Sequence, residues 1–406
     1  MVKYVCRTWS FYRSVFIRGF SRCNIANSHE SPEQNVKGKS AKEMLEESSM
    51  IDEVEVTESK EEVWATSPYP KIQGSDKRNQ ALFSFRPRVD PRDTSIILFP
   101  GQGTQFVGMG KNLMKIPAVK DLFEEANHIL RYNLMDICLN GPKEKLNRTE
   151  FAQPAILVCS LAALERLKEE KPKAIENCCA TAGFSLGELT ALIFAEAIKF
   201  EQALRLVRVR AESMQLAAEM EEGAMVMVMF SPDSKLSFAC KSAKEYAISE
   251  GIPNAYCGVS NYLFPHSKII AGHEKAIKYL EENKDKFNLK RMKRLQVSGA
   301  FHTPLMQPAI EPFVEALKKT KIYEPTIAVH SNVDGKHYQN ANHIKKQLPK
   351  QILAPVKWEQ TLHILYERPK DMPFPQTYEC GPGQSLSTIL KMVNVKAHEN
   401  CFNVPA

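Results

Sequence analysis

Gly183-Phe184-Ser185-Leu186-Gly187 constrains this chain more than any other stretch. The small, apolar Cys178-Cys179-Ala180-Thr181-Ala182 leads into it, and the helix-favouring Glu188-Leu189-Thr190-Ala191-Leu192 follows. A G-x-S-x-G between a strand and a helix is the nucleophile-elbow pattern. Its glycines allow a turn sharp enough to hold the serine hydroxyl clear of the backbone, and the N–H groups opening the new helix can receive an oxyanion. The segment therefore predicts a strand–turn–helix unit and a serine that attacks a carbonyl. Gly and Ser also build ordinary strand-to-helix turns, so the pentapeptide alone leaves that plainer use open.

The surrounding pattern is α/β. Ser95-Ile96-Ile97-Leu98-Phe99 reads as a buried strand, followed by the turn Pro100-Gly101-Gln102-Gly103. Helical segments around residues 118–130 and 154–169 lead to the elbow strand, and a helix over 201–219 follows it. Strands and helices in alternation argue a largely parallel sheet. Residues 223–297 break the rhythm with strand 224–230, helix 235–250, strands 255–261 and 268–271, helix 274–286 and strand 291–297. That β-α-β-β-α-β order suggests a ferredoxin-like insertion. Helix 308–319, strand 326–331, a helix near Trp358, strand 377–380 and helix 385–392 then return to the α/β pattern.

The ends of the chain differ in charge. Residues 1–29 hold Lys3, Arg7, Arg13, Arg18 and Arg22 and no acidic residue. On a helix Lys3, Arg7, Arg18 and Arg22 share one face, while Val5, Trp9, Phe16 and Phe20 gather on the other, the pattern of a mitochondrial presequence. Residues 30–62 carry 11 acidic and 4 basic residues, within a stretch to residue 90 expected to be a largely disordered linker. The remaining 63–406 hold 45 basic and 36 acidic residues, a net +9 that suits an acidic partner or a phosphate-bearing substrate. The ten cysteines show no C-x-x-C or Cys/His finger spacing, so buried thiols are expected rather than disulfides or zinc. No apolar run approaches the ~18 residues of a membrane span.

A serine hydroxyl needs a base. His302, in Ser298-Gly299-Ala300-Phe301-His302-Thr303-Pro304, follows a strand and could reach the elbow from a loop, although loop histidines often only cap or face solvent. The turn at Gly101-Gln102-Gly103 lacks the third glycine of a dinucleotide loop, with Phe106 in its place, and lacks a Walker Lys-Ser/Thr. It can lend a backbone N–H to an oxyanion hole instead. Arg210, 25 residues past Ser185, would ordinarily lie on a solvated helix face.

Five further segments occur in order with the elbow: Phe99-Pro100-Gly101-Gln102-Gly103-Thr104-Gln105, Val209-Arg210-Ala211-Glu212-Ser213-Met214-Gln215, Ser298-Gly299-Ala300-Phe301-His302, Pro355-Val356-Lys357-Trp358 and Glu379-Cys380-Gly381-Pro382-Gly383. Together they resemble malonyl-CoA:acyl carrier protein transacylases, especially those of mitochondrial type, from about Ser95 to Lys391. The resemblance implies an α/β-hydrolase-like core over 91–222 and 298–400, a ferredoxin-like subdomain over 223–297, and a site in the groove between them. It implies Ser185 as nucleophile, His302 as general base, the N–H groups of Gln102 and Leu186 as oxyanion hole, and Arg210 as the clamp on the substrate carboxylate. It also implies that the main-chain carbonyl of Lys357 orients the histidine. The substrates would be malonyl-CoA and an acyl carrier protein in the mitochondrial matrix, with no metal, bound cofactor or nucleic acid involved. Phe301 resembles malonyl-selective members. Phe184 and Gly299 stand where many bacterial members have histidine, and only Asn261 survives of the bacterial N-x-N-S-P segment. The competing enzyme class is a serine esterase or thioesterase, which would need an acid–histidine pair and would have no use for Arg210.

Overall fold

Five short strands, all but the edge strand Cys401–Pro405 mostly buried, form the first sheet of the protein in its computed structural model, which describes residues 90–369 and 371–406. Numbered in chain order, they are β1 (Ser95–Phe99), β2 (Cys178–Gly183), β7 (Ala328–His330), β9 (Gln376–Gly381) and β10 (Cys401–Pro405), arranged β10-β9-β1-β2-β7 and parallel throughout. All five residues of β1 are buried, as expected for a parallel strand covered on both faces. One apolar cluster, containing Ile97, Phe99, Phe123 and Val329, packs on one side. A second, built from Ile96, Leu98, Trp358, Leu362 and Leu390, packs on the other.

Phe99 pairs with Gly183 and Ala182 with His330, so the chain leaves β1, β2 and β7 at the same edge of the sheet. The carboxyl edge of a parallel sheet is where α/β proteins assemble sites. Three segments of interest emerge there: the glycine turn at residues 100–103, the serine elbow, and Ser331-Asn332.

The second sheet joins β3 (Gly223–Met229), β4 (Cys257–Phe264), β5 (Ser267–His273), β6 (Arg291–Arg294) and β8 (Val356–Lys357) in the order β6-β3-β5-β4-β8. Every pairing is antiparallel except β4 with β8. Helices Leu236–Ser249 and Glu274–Glu282 bury their apolar residues with this sheet in a cluster of their own, which includes Val226, Ala239, Ile270, Ile277 and Phe287.

Several boundaries move. The last strand of the 223–297 segment stops at Arg294, leaving residues 295–302 as an irregular run. The helix expected over 308–319 begins as a 3-10 turn, Pro304–Ala309, and turns α-helical at Ile310–Lys319. Helix Ala341–Leu353, which holds Pro349 inside it, has no counterpart among the elements expected from the sequence. Strand β10 (Cys401–Pro405) lies wholly beyond residue 400, and β8 enters the second sheet from outside 223–297. The presequence 1–29 and all but the last residue of the segment 30–90 lie outside the described residues. No described helix is long and apolar enough to cross a membrane.

The elbow depends on backbone-to-backbone contact. A Cβ on Gly187 would lie 2.2 Å from the Phe99 carbonyl oxygen and 2.8 Å from that of Pro100. Neither can give way without moving β1, so Gly187→Ala should cost about 3 kcal/mol, the upper end for overpacking. Gly251, at φ +89° with open space around it, should lose only about 1–2 kcal/mol as Gly251→Ala, through left-handed strain alone. Urea unfolding of the two variants checks the ranking, and equal losses would contradict it.

Candidate active site

Ser185 sits between β2 and helix Leu186–Phe194 at φ 52°, ψ −104°, a conformation that disfavours any side chain. Such strain costs on the order of 1–3 kcal/mol and persists only where surrounding bonds enforce it. They do so here. The Phe184 N–H donates to the Phe99 carbonyl, and the Ser185 N–H donates to Asn332 Oδ1 at 2.5 Å. Asn332 Nδ2 donates in turn to the Gly183 carbonyl. Asn332 thus staples both sides of the elbow from the loop after β7.

His302, itself at φ 59°, reaches the serine from the irregular run after β6. Its Nε2 lies 2.7 Å from Ser185 Oγ, and its Nδ1 lies 2.7 Å from the main-chain oxygen of Gln351. A carbonyl can only accept, so Nδ1 carries the proton and Nε2 is left to accept from the hydroxyl. Burial, and then the charge of Arg210, push the imidazole down to about 3, against the opposing pull of the Gln351 carbonyl. It is neutral at working pH, the form a general base requires.

The carbonyl that orients His302 is therefore that of Gln351 and not that of Lys357. Lys357 is committed elsewhere: its N–H donates to the Asn332 carbonyl, and its carbonyl accepts from Thr361 Oγ1. Gln351 lies in the last turn of helix Ala341–Leu353, where carbonyls have no partner within the helix and the helix dipole is negative. Both properties suit an acceptor for an imidazole that must take up a proton.

Arg210 is 1 % exposed, on helix Phe200–Met220, and is not a solvated residue. Its Nη1 donates to Gln153 Oε1 at 2.7 Å; its Nη2 donates to Gln351 Oε1 at 2.8 Å and lies 3.2 Å from Ser185 Oγ. Its Nε has no partner among the described residues. Burial lowers the guanidinium to about 10, and Glu188 pulls it back up, so it stays a cation at neutral pH. Two neutral amides fix the plane of the group while leaving N–H bonds for an incoming anion.

The turn at Gly101 abuts the elbow, since a Cβ there would lie 2.4 Å from the Phe184 oxygen. Gln102 is fixed through its side chain, which donates to Thr149 Oγ1, and that hydroxyl donates to Ser298 Oγ. The backbone N–H groups of Gln102 and Leu186 have no acceptor among the described residues. Free backbone donors on the turn against the elbow and at the helix start after the serine are the kind of group an oxyanion hole uses.

The structure thus brings Ser185, His302 and Arg210 into direct contact and sets Gln102 and Leu186 beside them. Sequence reasoning missed Gln351, Gln153, Asn332 and any role for Glu188. A signal existed for two of them. Glu188 is the one charge inside the apolar run Leu186–Phe194, and Gln153 is a buried amide in the otherwise apolar stretch 151–159 of helix Thr149–Glu170. Asn261 is buried and accepts from Ser260 Oγ. A Cβ on Gly299 would lie 2.4 Å from Ala218 Cβ, so close packing of helix Phe200–Met220 explains the glycine.

Comparison with known proteins gives the chain a family. The acyl transferase domain family matches residues 96–370. A probable mitochondrial malonyl-CoA-acyl carrier protein transacylase of Drosophila melanogaster is 54% identical over 343 residues, 82% of this chain and 90% of that protein. The human mitochondrial malonyl-CoA-acyl carrier protein transacylase is 50% identical over 318 residues, covering 78% and 82%. Among solved structures, the malonyl CoA-acyl carrier protein transacylase of Coxiella burnetii aligns with a TM-score of 0.69 at 30% identity, covering 78% of this chain and 95% of that one. A type II polyketide acyl-carrier protein in complex with its malonyl-transacylase aligns with a TM-score of 0.67 at 32% identity, covering 76% and 94%. The chain belongs to the acyl transferase domain family and, within it, to the malonyl-CoA–acyl carrier protein transacylases.

Proposed function

We propose that this chain moves a malonyl group from malonyl-CoA to the phosphopantetheine thiol of an acyl carrier protein, through an ester on Ser185. The observation that carries the mechanism is the sharing of Ser185 Oγ between His302 Nε2 and Arg210 Nη2, all three residues buried. Ser185 Oγ attacks the thioester carbonyl as its proton passes to His302. The Gln102 and Leu186 N–H groups hold the oxyanion. The C–S bond breaks, CoA leaves with the proton from His302, and the malonyl ester remains. The carrier thiol then attacks that ester, with His302 again taking the proton and returning it to Ser185. The chain supplies nucleophile, base, oxyanion donors and carboxylate clamp, so the reaction calls for no cofactor. Removing water from the ester favours transfer over hydrolysis. A carbonyl in place of an acid behind His302, and a buried Arg210, both argue against the esterase alternative.

In this reading residues 91–222 and 298–400 form an α/β-hydrolase-like core and 223–297 a ferredoxin-like subdomain; the order β6-β3-β5-β4 with two helices on one face is the ground for the second assignment. Residues 1–29 act as a mitochondrial presequence, in keeping with the mitochondrial names of the animal relatives, and the enzyme serves fatty acid synthesis there. Of the basic residues Lys290, Arg291, Lys293 and Arg294 that could meet an acidic carrier, Arg294 is bound to Glu274 and Glu281. Lys290 donates to Asn288, whereas Arg291 and Lys293 are exposed on the same side of edge strand β6.

Three outcomes test the proposal. Intact mass after exposure to malonyl-CoA should show one malonyl adduct on the wild type and none on Ser185→Ala, while His302→Ala should acylate some 10²–10⁴-fold more slowly; an adduct on the alanine variant would remove Ser185 from the mechanism. A guanidinium grips a carboxylate through two parallel hydrogen bonds that lysine cannot reproduce. Arg210→Ala should therefore lose about 10²–10³-fold in malonyl transfer and gain relative use of acetyl-CoA, with Arg210→Lys between. An unchanged ratio of kcat/KM for the two thioesters would show that the carboxylate is read elsewhere. Charge reversal at Arg291 and Lys293 should raise KM for carrier protein and leave KM for malonyl-CoA alone; equal effects on both would place docking at another surface.

A further inference from the structure

Glu188 is fully buried three residues past the nucleophile, and the acyl-transfer steps above give it no task. Its Oε1 accepts from the Tyr338 hydroxyl; its Oε2 accepts from Gln351 Nε2 at 2.6 Å and from the Asn332 N–H at 3.1 Å. Gln351 Nε2 also donates to the Ser185 carbonyl at 2.9 Å. The amide nitrogen thus lies between two acceptors, which decides its orientation. The amide oxygen must face the other way, and there it accepts from Arg210 Nη2. Without an acceptor at Glu188 the amide would lose its strongest reason not to turn its NH₂ toward the guanidinium.

Charge gives a second, independent argument. The hydrogen-bond partners of buried Arg210 are all neutral: Gln153, Gln351 and Ser185. An uncompensated buried cation is costly. Glu188 stands one amide away and holds the guanidinium pKa up, while Arg210 holds the carboxyl down. Burial lifts that carboxyl to about 7, against the three donors and the cation that favour its ionised form.

We infer that Glu188 is a positioning residue for recognition of the acyl carboxylate: through the Gln351 amide it orients Arg210, and its own charge moderates the pull of that cation on the malonyl group. The inference rests on the proposed function, in which Arg210 binds that carboxylate. With Glu188 ionised the empty site is close to neutral, so malonyl can be held firmly yet released to the carrier, and a neutral acyl group meets a balanced cation. Replacing Glu188 by glutamine keeps the size and an acceptor for Gln351 and Asn332, with the new NH₂ toward the Tyr338 oxygen. It removes the charge alone. Arg210 then pulls harder on a carboxylate and is still less compatible with an acyl group that has none.

The test is the ratio of kcat/KM for malonyl-CoA to that for acetyl-CoA in wild type, Glu188→Gln, Arg210→Ala and the double variant. Glu188→Gln should raise the ratio about tenfold, within the usual range of coupling between groups in one network, and should lower KM for malonyl-CoA. The same substitution made on Arg210→Ala should leave the ratio unmoved, because the group it acts through is gone. A merely structural lesion would slow both thioesters alike and would do so in either background. A ratio that stays constant or falls in Glu188→Gln, or that rises equally without Arg210, overturns the inference. Should Glu188→Gln fail to fold, Glu188→Asp carries the test: drawing the carboxylate back should move the ratio in the same direction by less, and no movement overturns the inference. Malonyl adduct formation on the wild-type enzyme keeps the two readings apart. Its absence would overturn the proposed function, whereas an adduct with an unmoved ratio would overturn only the role of Glu188.

Discussion

A serine backbone held at φ 52° is the constraint on which the rest of the site depends. No single bond keeps it there. Gly183, Gly187 and Gly101 let three stretches of main chain touch where a Cβ would lie between 1.8 and 2.4 Å from a backbone atom. Asn332 then ties the Ser185 N–H and the Gly183 carbonyl to the loop after β7. Because the sheet is parallel, all these pieces leave it at one edge, and strain at the serine is spread over the ends of β1, β2 and β7. The same turn puts the Leu186 N–H at the start of a helix, where it has no carbonyl to bond and remains free for an oxyanion.

Polar groups in the site are held mostly by amides. Gln351 contributes a main-chain oxygen to His302, a side-chain oxygen to Arg210 and an amide nitrogen to Glu188 and Ser185. A carboxylate beside His302 would raise the imidazole pKa and would compete with the malonyl group for Arg210. A neutral carbonyl at a helix C-terminus stabilises the imidazolium less and leaves the guanidinium unpaired by charge in its first contacts. The choice of partner behind the histidine and the need to recognise an anionic acyl group are in this sense one problem. An enzyme acting on neutral esters does not face it.

The parts legible in the sequence are those whose signal is local. The elbow, the glycine turn and His302 each stand within a few residues of a strand end or a helix start, and their glycines announce close backbone approach. The alternation of strands and helices gave the α/β class, and the β-α-β-β-α-β run over 223–297 appears with its six elements in place. The illegible parts are long-range. Gln351 meets Ser185 across 166 positions of sequence, and its helix is disguised by Pro349, a residue that ordinarily ends one. Lys357 was expected to orient the histidine, but pairing of β8 with β4 and the start of helix Trp358–Tyr366 occupy that stretch. Arg210 read as a surface residue on spacing alone, because burial of a cation leaves no mark in the sequence except through the motif around it.

Burial also explains why recognition and catalysis cannot be separated in this site. His302, Ser185 and Arg210 are all at most 8 % exposed, so each charge change there is felt by the others at low effective dielectric. Arg210, the proposed reader of the carboxylate, also depresses the base and lies 3.2 Å from Ser185 Oγ, close enough to favour a developing alkoxide. In the proposed mechanism a bound malonyl carboxylate would neutralise Arg210 and relieve that pressure on His302, making it a stronger base when the right substrate is in place. Acetyl brings no such relief. Selectivity would then act on the proton transfer as well as on binding, with a neutral acyl group that reaches the serine still meeting a weaker base.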